Sequence, residues 1–183
     1  MEYSTDWLLD QIAQGKRVKY LFFWGNQPSK NGDITKSCFS QWWLADFVVD
    51  GTTYRSTEHW MMAEKARLFN DTAMANRILE VASPAEAKKL GREIHGFKND
   101  IWEKRKFEIV IVGNLHKFSQ HKALAKFLLA TADRILVEAS PVDTIWGIGL
   151  AADAADAENP AYWQGPNLLG FALMNVRDQI RNQ

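Results

Sequence analysis

The chain has 183 residues, 46% of them apolar, which suits one compact domain with a sizeable core. Lysine plus arginine equals aspartate plus glutamate at 22 each, so no net positive charge draws it to nucleic acid or an anionic membrane, and only a local basic patch stays open. A lone cysteine, Cys38, excludes an internal disulfide, and no Cys/His spacing suits structural zinc; a reducing cytoplasm is the expected setting. Residues 1–19 mix charges with short apolar runs and read as neither a signal peptide nor a spanning helix.

Trp7, Leu8, Ile12 and Ala13 at helical spacing predict a short helix over 6–14, stopped by Gly15, as an N-terminal extension within 1–19. The aromatic and β-branched run 19–24 predicts a strand, and the Gly-, Asn- and Pro-rich segment 26–36 a loop. Asp50-Gly51 between two apolar triplets predicts a hairpin over 47–54. Ser56 or Thr57 can cap a helix over 58–69, which Asn70-Asp71 ends. Ser83-Pro84-Ala85-Glu86 reads as a capping box opening a helix that stops near Gly96. Asp100 with Glu103 repeats that pattern ahead of a long helix with a stripe of Phe107, Ile111, Leu115 and Phe118. A shorter helix over 121–131, a buried strand over 134–139 and a final helix capped by Asn167 and running to about Arg181 complete the order. With no repeat and no long linker, this predicts a single α+β domain over 1–183, mainly helical, with a small sheet that includes the hairpin.

Glu58 and Lys65 lie seven residues apart, two helical turns, and therefore on one helix face. Glu58 stands in the first turn, where the helix dipole favours a carboxylate. A plain helix-end glutamate with a solvated lysine is the alternative, but Trp60, Met61 and Met62 make this stretch too apolar for a wet surface, so the pair reads as a cleft pair. Glu138, Asp143, Trp146, Gly147 and Gly149 form a second constellation on a loop leaving a buried strand, where a rigid base holds a turn able to contact a ligand. The alternative there is a tight turn anchored by a core tryptophan. Asn167 after Gly165-Pro166 places a helix start where phosphate could sit, or is simply an N-cap; Arg92 beside Gly91 is a candidate phosphate ligand. His116 and His121 are five apart, on different helix faces, and no metal is expected.

These residues resemble the NADAR family. The matching segments are Tyr54-Arg55-Ser56-Thr57-Glu58-His59-Trp60 with Met62-Ala63-Glu64-Lys65-Ala66; Ala87-Lys88-Lys89-Leu90-Gly91-Arg92; and Trp102 with Arg105. Later come Leu136-Val137-Glu138-Ala139-Ser140-Pro141, Asp143, Trp146-Gly147-Ile148-Gly149-Leu150 and Gly165-Pro166-Asn167-Leu168-Leu169-Gly170. The resemblance covers most of the chain from Tyr20 onward.

The resemblance implies hydrolysis of a ribosyl N-glycosidic bond without a cofactor. Two substrate classes go with such proteins: ADP-ribose on the guanine amino group of DNA or RNA, and the early phosphoribosyl-aminopyrimidine intermediates of riboflavin synthesis. The late loop departs from the shorter, more polar one of riboflavin-linked members, which favours ADP-ribosyl-guanine. The expected catalytic residues are Glu58, Lys65 and Asp143. The expected substrate contacts are Phe23, Trp24, Ser40, Arg92, Glu138, Trp146, Gly147 and Asn167. A competing reading, a non-catalytic module that binds ADP-ribose or a nucleotide, would use the Trp, Arg and helix-start features without needing Glu58 or Lys65.

Overall fold

The protein is described by a computed structural model over residues 3–182. In chain order the elements are α1 (Thr5–Ala13), β1 (Tyr20–Phe23), a 3-10 turn (Lys36–Phe39), β2 (Phe47–Val49), β3 (Thr52–Tyr54), α2 (Thr57–Leu68), α3 (Thr72–Glu80) and α4 (Pro84–Leu90). They continue with α5 (Asn99–Gln120), α6 (Lys122–Leu129), β4 (Ile135–Glu138), a 3-10 turn (Pro160–Tyr162) and α7 (Leu168–Arg181). This is an α+β architecture dominated by helix. No described helix is long and apolar enough to cross a membrane. The chain groups into two compact units, one made of residues up to 40 and from 123 onward, the other of residues 41–122.

In the first unit β1 and β4 pair in parallel, Tyr20 opposite Ile135 through Phe23 opposite Glu138. Leu136 and Val137 are fully buried, as a strand covered on both faces requires. A two-stranded ladder leaves the outer edge of β4 open, and Asn167 closes it. Its Oδ1 accepts from the Glu138 N–H at 3.0 Å and its Nδ2 donates to the Leu136 carbonyl at 2.9 Å, so one side-chain amide acts as a short piece of neighbouring strand. Asn167 adopts the left-handed conformation at φ 55° to do this, and makes no side-chain cap bond to α7. The expected side-chain N-cap is therefore replaced by a clamp between helix and strand. Gly170 completes the fit: a Cβ there would lie 2.1 Å from the Leu136 carbonyl oxygen.

In the second unit the β2–β3 hairpin turns at Asp50 (φ 49°) and Gly51 (φ 78°), the pair of positive φ angles that the Asp-Gly dipeptide predicts. Helix α2 packs on α3, α4 and α5. The expected capping box at Ser83 and Glu86 is present, yet α4 ends at Leu90, with Gly91 as its C-cap, well before Gly96. Asp71 accepts from the Met74 N–H at 3.1 Å and so starts α3, a helix absent from the sequence expectation. Asp100 and Glu103 do not cap α5; its N-cap is Lys98 without a side-chain bond, and Glu103 instead holds the Lys106 ammonium at 2.6 and 2.7 Å. The inner face of α5 is also different from the apolar stripe expected. Phe118 is buried, but Phe107, Ile111 and Leu115 are only half-buried, while Lys106, Asn114 and Lys117 point inward.

The clamp at Asn167 makes a stability prediction. Asn167→Ala leaves the Glu138 N–H and the Leu136 carbonyl without these partners inside the protein, a loss of about 2–4 kcal/mol. Urea denaturation should show a lowered midpoint, and wild-type stability in this variant would contradict the clamp.

Candidate functional site

The second unit places Glu58, Lys65 and Arg92 in one electrostatic neighbourhood. It begins at the N-terminus of α2, where Ser56, Thr57, Glu58 and His59 are all almost wholly buried. Orphan N–H groups at a helix start need acceptors, and the Gln41 carbonyl supplies one: it accepts from the Glu58 N–H at 3.0 Å and from the Thr57 hydroxyl at 3.2 Å. The Gln41 side chain contacts Met61 Sδ through Nε2 at 3.3 Å and accepts from Asn114 Nδ2 at 3.5 Å. Glu58 is thus a carboxylate only 3% exposed, in the first turn of a helix whose dipole favours its charge.

His59 fixes this corner. Its Nε2 lies 3.2 Å from the Val81 carbonyl, which can only accept, so the ring proton sits there. Its Nδ1 then accepts from the Ser56 hydroxyl at 2.8 Å, and the same hydroxyl oxygen accepts from the His59 N–H at 3.4 Å. The imidazole is neutral, with burial pushing its pKa down against the opposing pull of the Val81 hydrogen bond.

Two turns along α2, Lys65 Nζ donates to the Gly91 carbonyl at 2.8 Å. The ammonium also lies 4.4 Å from the centre of the Phe97 ring and 5.5 Å from that of Trp102. Burial lowers the Lys65 pKa; the charge of Glu58 raises it and that of Arg92 lowers it again. Gly91 suits this seat because a Cβ there would fall 2.0 Å from Met62 Sδ. Arg92 itself is exposed, just past the end of α4. Trp60 belongs to the scaffold: its Nε1 donates to the Ile109 carbonyl at 2.8 Å, and its ring leaves no room for a Cβ at Gly113, 2.3 Å away. The sequence reading missed Gln41, Asn114, Phe97 and the inward lysines of α5. Trp102 lies in a segment that resembles the family, and the resemblance assigns it no role. For Asn114, the signal available was its place one helical turn from Val110 and near Lys117 on a long helix.

The remaining expected residues lie in the first unit. Trp24 is 57% exposed, and Ser40 is half-buried after the Lys36–Phe39 turn. Phe23, expected as a stacking surface, is instead a core residue: it is 1% exposed and packs edge-on against Phe39 at 5.5 Å. Asp143 organises its own loop, its Oδ1 accepting from the N–H groups of Ile145 at 2.9 Å and Trp146 at 2.7 Å. Gly147 makes room for the protein's own backbone, since a Cβ there would lie 2.7 Å from the Glu138 carbonyl oxygen. That carbonyl accepts from the Ile148 N–H at 3.0 Å. The start of α7, expected to offer N–H groups to phosphate, is engaged by this loop: Asn167 N donates to the Gly147 carbonyl at 3.3 Å and Leu169 N to the Trp146 carbonyl at 3.0 Å. Trp146 is half-buried.

The neutral His59 carries a pH prediction. Unfolded, it takes up a proton below about pH 6.5; folded, its lowered pKa delays that uptake to more acid pH, so in between the unfolded state binds more protons and stability falls on acidification. His59→Gln should flatten the slope of unfolding free energy against pH below neutrality, whatever its effect on absolute stability. An unchanged slope would show that His59 is not the group responsible.

The NADAR domain family matches residues 22–181. An N-glycosidase of Acanthamoeba polyphaga mimivirus is 43% identical over 166 residues, which cover 88% of this chain and 96% of that one. The Escherichia coli N-glycosidase YbiA is 33% identical over 149 residues, covering 81% of each chain. The solution NMR structure of Escherichia coli YbiA superposes with a TM-score of 0.72 at 28% identity, covering 91% of this chain and 88% of that one. With a buried glutamate and a desolvated lysine on one helix, a family match over most of its length and relatives of this similarity, the chain belongs to the NADAR family.

Proposed function

We propose that this N-glycosidase hydrolyses a ribosyl C1′–N bond, and that its substrate is ADP-ribose attached to the amino group of guanine in DNA or RNA. The observation that carries the reading is the seat of Lys65: a half-buried amine beside the rings of Phe97 and Trp102, held by the Gly91 carbonyl, with the Glu58 carboxylate on the same helix. A binding module has no need of either group. We assign both compact units to one NADAR-like domain preceded by the helical extension over 1–19, and a cytoplasmic setting suits its single buried cysteine, Cys38.

Cleavage of a ribosyl C1′–N bond builds positive charge on C1′ and the ring oxygen, and a carboxylate held nearby in a water-poor site stabilises it. Glu58 is that carboxylate. When the ribose is attached through an exocyclic amine, its ring can open to an imine at C1′. The neutral Lys65 amine adds to that carbon; the base departs with its amino group as the protein imine forms, and water then hydrolyses the imine, returning ADP-ribose and the free lysine. Only the unprotonated amine can add, so the lowered pKa of Lys65 increases the reactive fraction near neutrality. Glu58 can take the lysine proton and pass it to the leaving amine. Arg92, exposed beside Gly91, supplies a cation for the diphosphate.

The test is product analysis by mass spectrometry with guanine-ADP-ribosylated oligonucleotide and, in parallel, phosphoribosyl-aminopyrimidine. Glu58→Gln and Lys65→Met should each lower turnover of the oligonucleotide by about 100-fold or more. Borohydride should trap a ribosyl adduct on wild type and not on Lys65→Met. Full activity of Glu58→Gln would remove it from the mechanism. Turnover without a trapped adduct would favour direct attack of water, and preference for the pyrimidine would move the substrate to the riboflavin class.

A further inference from the structure

A cleft of ≈ 890 Å³ opens in the first unit, and no residue of the second unit lines it. Its volume falls in the range of small-molecule sites. Six cationic side chains line it, Lys16, Arg17, Lys19, Arg134, Arg177 and Arg181. The chain as a whole carries no net charge, so this is a local surplus. The two carboxylates that also line the cleft offset it only in part: Asp178, which accepts from the Tyr3 hydroxyl, lies 3.9 Å from Arg181, and Asp133, 93% exposed, lies 3.4 Å from it, which leaves the cations in excess.

Lys19 immediately precedes β1 and Arg134 immediately precedes β4. Because these strands run parallel, the cleft sits at the N-terminal end of the ladder and the loop of Glu138, Asp143 and Trp146 leaves the other end. Four residues of strand, about 13 Å, lie between them. None of the residues proposed above for catalysis or substrate contact lines the cleft. Moreover, Tyr3, Trp7, Lys16, Arg17 and Lys19 precede the family match, which begins at residue 22.

Arg177 gives the cleft its second mark. It is 2% exposed, with Nη1 donating to the Thr131 hydroxyl at 2.9 Å and to the Arg134 carbonyl at 2.8 Å. Its Nε is buried without a hydrogen-bond partner, and among the described residues no carboxylate lies within ion-pair distance of its guanidinium. Asp178 and Asp133 act on Arg177 only from beyond contact distance, and burial outweighs them; an anion in the cleft would offset that cost through space. Half-buried Trp7, with Tyr3 edge-on at 4.7 Å, adds flat apolar surface to the same wall.

We propose that this cleft binds a phosphate-bearing small molecule of mononucleotide size, its phosphate drawn by Arg17, Lys19 and Arg177 and its ring placed on Trp7. The site is independent of the Glu58 and Lys65 chemistry and holds whether or not that chemistry is as proposed. Calorimetric titration with AMP, and separately with inorganic phosphate, tests it on wild type, on Lys65→Met and on Arg17→Glu/Lys19→Glu. Arg17 and Lys19 are exposed, so the reversal spares the core; the milder Arg17→Gln/Lys19→Gln serves as a second variant. AMP should bind wild type and Lys65→Met alike, at least about 10-fold more tightly than phosphate, and shift the Trp7 indole N–H resonance. Charge reversal should weaken AMP at least about 10-fold, with neutralisation between the two. The proposal is overturned if AMP fails to bind below about 10 mM, if charge reversal leaves its affinity unchanged, if Lys65→Met abolishes binding, or if phosphate binds as tightly as AMP.

Discussion

The hydrogen bond from the Lys65 ammonium to the Gly91 carbonyl, beside the rings of Phe97 and Trp102, fixes the amine on which the proposed chemistry depends. The carbonyl and the ring faces favour the charged amine and hold it in place, but its partial burial outweighs them and lowers its pKa. Glu58 limits that effect by favouring the charged amine, and Arg92 reinforces it. The second unit is built around this balance. Gly91 has no side chain because Met62 occupies the space, Trp60 locks α2 to α5 where Gly113 admits it, and the Gln41 carbonyl takes the Glu58 N–H in the first turn of α2. Each device fixes the helix on which the amine and the carboxylate are carried.

The first unit shows the same economy with backbone groups. Two paired strands cannot satisfy their own edges, and here a side-chain amide from the start of α7 and a loop N–H take the outer edge of β4. Consequently the loop after β4 is tied to the strand, to α7 and to its own Asp143. It presents Trp146 from a rigid base. Glycine at 147 is needed for this internal closure before any ligand is considered.

Where local chemistry decides the structure, it was legible in the sequence. Asp50-Gly51 specifies its turn, and Ser83, Pro84 and Glu86 specify a helix start, because those side chains act on the nearest peptide groups. Glu58 and Lys65 could be placed on one helix from their spacing alone. Tertiary partners were not legible. Asp71 was read as a stop although it also starts the next helix, and α5 was oriented by its apolar stripe although Lys106, Asn114 and Lys117 turn inward. A hydropathy period cannot foresee that Glu103 neutralises Lys106 or that Gln41 meets Asn114. Phe23 and Trp24, adjacent in sequence, ended respectively inside and outside because consecutive side chains at a strand end alternate.

The most direct measurement is the titration of the Lys65 side chain itself by carbon-detected NMR, with its resonance assigned from Lys65→Met. The account predicts deprotonation below the ordinary lysine range of about 10.4, and a further fall in Glu58→Gln, where the opposing carboxylate charge is gone. A Lys65 that titrates in the ordinary range, and does not respond to Glu58→Gln, would contradict it.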